Sequence, residues 1–126
     1  MSKYIIDRSR WRWGGPYYDE KRGYTRLLNQ EGFMCCLGFL AKQCGCSAQR
    51  ILNVPVPRKI NWKVAGLDRK ALSDLLTPDG AHSEFSSIAI DINDAVDLSK
   101  EDREDRLIGL GKNHGIELEF ISEYPE

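Results

Sequence analysis

The sequence predicts an α+β fold in one small domain over residues 1–126, with a buried central helix and an amphipathic C-terminal helix packed on a small, mainly antiparallel sheet. Three observations carry that prediction. Met34–Gly45 is too short to span a bilayer, and ten of its twelve residues are apolar or glycine, so it reads as a helix buried on nearly every side. Ser99 opens a second, two-faced helix. That helix runs directly into Ile116–Ile121, where apolar and acidic residues alternate with the period of a half-buried strand. A helix feeding a strand, in a chain of single-domain length, fits one core built from both element types.

In chain order, Lys3–Trp13 alternates loosely, with Tyr4, Ile6, Trp11 and Trp13 set among arginines, and reads as a strand or extended arm. Gly14, Gly15 and Pro16 make the next stretch a loop, and Asp19–Arg22 is a charged turn. Gly23–Leu28 has strand composition, and Asn29–Gly32 is a turn leading into the apolar helix. Within that helix Gly38 lets another backbone cross closely, and Gly45 suits the left-handed residue that ends a helix. Ser47 is placed to cap a short helix, Ala48–Leu52, before Pro55 and Pro57 impose an extended connection. Asp68 is placed to cap a helix over Arg69–Leu76, with Leu72, Leu75 and Leu76 on one face and a turn at Thr77–Gly80. Ser83–Ile92 fits two periods: Phe85, Ile88, Ala89 and Ile92 share a helical face, while Ile88, Ile90 and Ile92 share a strand face. Helix is the preferred assignment. After Ser99, Glu101 and Asp102 complement the helix dipole, Arg103, Leu107 and Leu110 supply two-facedness, His114 suits the C-terminal end, and Gly115 stops the helix.

The net charge of −1 conceals a strong asymmetry. Residues 1–70 carry fourteen Lys and Arg against five Asp and Glu, a balance of +9, and residues 71–126 carry four against fourteen, a balance of −10. Either the halves pack with alternating charged faces, or the basic half meets an anionic partner while the acidic half keeps the protein dissolved or imitates an anion. The opening residues lack the apolar core of a secretory signal. Cys35, Cys36, Cys44 and Cys46 crowd into one segment where neighbours rarely bridge, so reduced thiols and a cytoplasmic location are expected.

Three chemistries compete for function. The first is non-enzymatic binding of a nucleic acid, a nucleotide or a host protein, with Arg8, Arg10, Trp11, Arg12, Trp13, Tyr17, Tyr18, Lys21, Arg22 and Arg26 as the surface. Guanidinium forks fit phosphates and flat rings stack bases; the competing reading buries the two tryptophans in the core and leaves the arginines in water. Arg58, Lys59 and Lys63 around Ile60 and Trp62 repeat the pattern on a smaller scale. The second is a cysteine-dependent hydrolase or transferase. Cys35 or Cys36 near a helix N-terminus would serve as nucleophile, His114 or His82 as base, and Asn93 or Asp94 as the group that orients it. The third is a metal site. Cys44 and Cys46 lack the two-residue gap that lets both sulfurs reach one zinc, and neither a metal nor a cofactor is expected.

The segment Cys35–Leu40 after a glycine turn, Ile92–Asp94, Leu98 and Ser99 with Arg103, Arg106 and Leu107, and His114–Ile116 resemble a group of small tailed-phage and prophage proteins with a CCLG segment and a later IND motif. Ala95 stands where the group has a further Asp. The resemblance spans residues 24–121 and implies a phage-encoded accessory protein. Such a protein would act in the bacterial host cytoplasm by binding host machinery, including defence systems.

Overall fold

The computed structural model describes residues 2–61 and 69–125. The expectations for Trp62, Lys63 and the Asp68 cap fall outside those residues. Strand β1, Ser2–Asp7, and strand β2, Ile116–Ile121, bring the two ends of the described chain together as a two-stranded sheet. The pairing is parallel, with Ser2 opposite Ile116 and Asp7 opposite Ile121, which corrects the mainly antiparallel expectation. Parallel strands need a long crossover, and here everything between residues 7 and 116 supplies it, so no hairpin dictates the direction.

Alternation decides which face is buried. Tyr4, Ile6, Ile116 and Leu118 point into the core, whereas Lys3, Glu117 and Glu119 point outward. Against the inner face lie helix α1, Cys36–Gln43, touching β1, and helix α4, Lys100–Asn113, touching β2. Helix α3, Glu84–Asp94, packs on both helices, and the short α2, Ala48–Ile51, packs on α1. Ser83 and Ser99 cap α3 and α4 with side chains that accept from Ser86 N and Asp102 N. The helical reading of Ser83–Ile92 therefore holds. No helix among the described residues is long and apolar enough to cross a membrane.

Gly38 is where α1 meets the rest of the chain, because a Cβ there would stand 1.8 Å from the carbonyl oxygen of Leu27. That crossing also explains why Gly23–Leu28 is not a strand. Its backbone is spent on α1 and on the proline connection, with Cys35 N donating to Arg26 O and Leu27 N to Val54 O. In place of the helix expected over Arg69–Leu76, the described residues form a 3-10 turn, Arg69–Leu72, followed by further turns. Leu72, Leu75 and Leu76 are nonetheless buried.

Candidate functional site

Two buried arginines and one buried asparagine shape the surface near the N-terminus. Arg12 is 2% exposed, and its guanidinium donates to the carbonyls of Gly23, Trp13 and Tyr17, so it works as the internal frame of the 12–23 loop. Arg103, at 1%, does the same from α4, donating to the carbonyls of Ile92, Asn93 and Leu98 and so closing the C-terminal end of α3. Burial depresses both guanidinium pKa values. Asn93 lies between them. Its Oδ1 accepts from Trp11 Nε1 at 2.8 Å and Cys36 N at 3.0 Å, and its Nδ2 donates to Arg12 O and Asp94 Oδ1 at 3.0 Å each.

This scaffold sets up a cleft of about 400 Å³ whose walls include Trp11, Trp13, Phe33 and Tyr124 and whose charged residues are Asp19, Lys21, Arg22 and Lys100. The cations are seated on rings: Arg22 lies 4.6 Å from the Trp13 centroid, Lys100 Nζ 4.9 Å from Tyr124, and Arg10 5.7 Å from Phe33. Asp19 is engaged with Arg22 at 3.3 Å and with the N–H groups of Lys21 and Arg22. Burial raises its carboxyl pKa, but those hydrogen bonds outweigh the effect and hold it below the usual range. Arg10, Lys21 and Lys100 make no ion pair among the described residues. Next to the cleft, the rings of Tyr18 and Tyr24 pack at a 57° tilt with centroids 5.0 Å apart, Arg26 sits 4.9 Å from Tyr24, and Tyr17 is 79% exposed.

The ten residues expected at a binding surface are thus divided. Lys21 and Arg22 line the cleft with Trp13, Arg10 flanks it through Phe33, and Tyr17, Tyr18 and Arg26 present the neighbouring tyrosine face. Trp11 reaches the cleft only as a wall, since it is 1% exposed, and Arg12 is interior; both leave the docking surface because Asn93 and loop carbonyls claim their polar groups. Arg8 leaves it too, held bidentately by Glu104 at 2.7 and 2.8 Å. Sequence reasoning missed Phe33, Lys100, Tyr124 and Tyr24. Lys100 carried a usable signal, a lone cation opening an acidic helix, but Tyr124 reaches the cleft only because β2 pairs beside β1.

The residues of the cysteine-nucleophile alternative do not assemble. Cys35 and Cys36 do sit at the N-terminus of α1, but they are 7% and 2% exposed. Burial pushes the Cys35 thiol up to about 12 and the Cys36 thiol well above its ordinary value, so both are neutral. Asn93 lies next to them but orients no histidine. His114 faces Phe85 at 6.1 Å, and Phe85 stands at the opposite end of α3 from Asn93, with about 12 Å of helical rise between those two residues. His82 accepts from Arg58 N. All four cysteines are free, and among the described residues no three metal-ligating side chains come together. Compared with protein-family models, with curated proteins and with solved structures, the chain finds no significant match.

Proposed function

We propose that this is a phage-encoded accessory protein that works in the bacterial host cytoplasm by non-enzymatic binding, holding an anionic partner, a nucleic acid or a nucleotide, in the cleft beside Trp13. The observation that carries the reading is one ring-walled concavity lined by Lys21 and Lys100, with Lys100 on Tyr124 and Arg10 beside it on Phe33, three cations that make no ion pair among the described residues. Phosphate oxygens satisfy such cations, and a base is accommodated by ring walls and by the adjacent Tyr18–Tyr24 pair. The CCLG and IND segments support the phage attribution by resemblance, and a host defence factor that carries or senses nucleic acid is the partner class that fits it.

The test is fluorescence titration of tryptophan with a single-stranded oligonucleotide and, separately, a mononucleotide. Quenching should saturate. The oligonucleotide affinity should fall as salt rises, with a log–log slope of about −0.7 per phosphate contact. Lys21→Glu and Lys100→Glu should each weaken binding by about tenfold; the second also places an acid in the first turn of α4, where the dipole favours it, so folding is spared. Binding indifferent to salt and to both reversals would refute the proposal.

A further inference from the structure

Asn93, which fixes the Trp11 wall of the cleft, also lines a separate pocket of about 230 Å³. The volume is below the roughly 300–1,000 Å³ typical of drug-sized ligands and suits a smaller one. Pro55, Val56 and Ile90 give it apolar walls, and the neutral thiols of Cys35 and Cys36 add no charge. Two residues of opposite charge line it, Asp94 at the end of α3 and Arg26 on the loop before α1.

They are not spent on each other. The ion pairs among the described residues are Lys3–Glu119, Arg8–Glu104 and Arg22–Asp19, and none includes Arg26 or Asp94. Asp94 Oδ1 accepts from Asn93 at 3.0 Å, while Oδ2 has no hydrogen bond among the described residues. Burial holds the Asp94 carboxyl above its usual range and the charges of Arg12 and Arg103 oppose that, yet the donors of both arginines go to backbone carbonyls and leave that oxygen open. Arg26 lies 4.9 Å from the Tyr24 ring centroid, a contact that uses the face of the guanidinium, and it makes one long hydrogen bond, to Thr25 O at 3.5 Å.

A simple anion would leave Asp94 Oδ2 without a donor, and a simple cation would leave the Arg26 guanidinium without an acceptor. A metal lacks a third ligand. What complements an apolar pocket with both signs of charge is a small zwitterion with an apolar body. We infer that the pocket binds a free α-amino acid with an aliphatic side chain. Its ammonium group meets Asp94, its carboxylate meets Arg26, and its side chain lies among Pro55, Val56 and Ile90.

The experiment is methyl NMR of the full chain titrated with L-leucine. In parallel, 3-methylbutylamine, which lacks the carboxylate, and 4-methylpentanoate, which lacks the ammonium group, are titrated. Leucine should shift the Val56 and Ile90 methyl signals, and each analogue should bind at least about tenfold more weakly. Asp94→Asn and Arg26→Gln should each weaken leucine by a similar factor; should a variant fail to fold, the analogue series on the unaltered protein decides. No shift with millimolar leucine, isoleucine or valine, or equal binding of zwitterion and analogues, would overturn the inference. The methyl readout lies outside the Trp13 cleft, so this result stands or falls apart from nucleic-acid binding.

Discussion

Asn93 makes four side-chain hydrogen bonds, the full capacity of a carboxamide, and they join three segments far apart in the chain. Replacing it with Ala leaves the Trp11 indole N–H and the Cys36 N–H buried without acceptors. Chemical denaturation should therefore register a loss of about 3 kcal/mol or more, and Trp11 fluorescence should change with it. Its neighbour behaves oppositely. Burial holds the Asp94 carboxyl above its usual range, so its protonated form is favoured in the folded state, and that contribution disappears as pH rises through the folded pKa. Asp94→Asn should accordingly raise the melting temperature at pH 7 and make little difference at acid pH. Gly38→Ala should cost about 3 kcal/mol, because the added methyl meets the Leu27 carbonyl, a backbone atom that cannot rotate away. Cys35 and Cys36 should react with iodoacetamide far more slowly than free cysteine in the folded protein and at an ordinary rate once it is unfolded.

Among the elements, α3 and α4 both begin at a serine whose side chain caps the first turn. Ser99→Ala removes the acceptor for Asp102 N and should cost about 1 kcal/mol, visible in denaturation with the hydrogen-bonded core otherwise intact. Gln43 performs a different service, bonding both the N–H and the carbonyl of Ile5 with its carboxamide and so closing the outer edge of β1. The elements legible in the sequence were those set by local chemistry. These are the glycine-flanked apolar helix, the helical period of α3, the Ser99 start of α4, and the alternation of β2. What could not be read was fixed by contacts remote in sequence. Gly23–Leu28 looks like a strand but is occupied by the backbones of α1 and Val54, and the leucines after residue 70 are buried without an α-helix to carry them. The candidate cleft was half legible for the same reason. Local runs gave Trp13, Lys21 and Arg22, whereas Phe33, Lys100 and Tyr124 arrive from three other segments. Burial of Arg12 and Arg103 was invisible, because each is stabilised by carbonyls of loops and helix ends and by no acidic partner in the sequence pattern.

At the scale of the molecule, the opposite charges of the two halves meet where the chain ends meet. Lys3 pairs with Glu119 across the sheet, and Arg8 pairs with Glu104, which also accepts from the Tyr124 hydroxyl. Burial raises the Glu104 carboxyl pKa, but Arg8 and Tyr124 overcome that and hold it low; Asp7, bonded by Ser9, and Asp19 are likewise held below their usual range. A depressed folded pKa contributes stability above the unfolded carboxylate value that is lost as pH falls through the folded one. Stability should therefore decline below about pH 4, and Glu104→Gln should lower it by about 1–2 kcal/mol at pH 7 while flattening the acid limb. The parallel register of β1 against β2 has a kinetic corollary. Ser2 is synthesised more than a hundred residues before Ile116, so β1 waits for its partner strand until the intervening segment has been made, and the sheet forms after the elements between its strands can already be in place. Until then Tyr4 and Ile6 have no strand beside them, and the interval of exposure lasts as long as translation of the intervening residues.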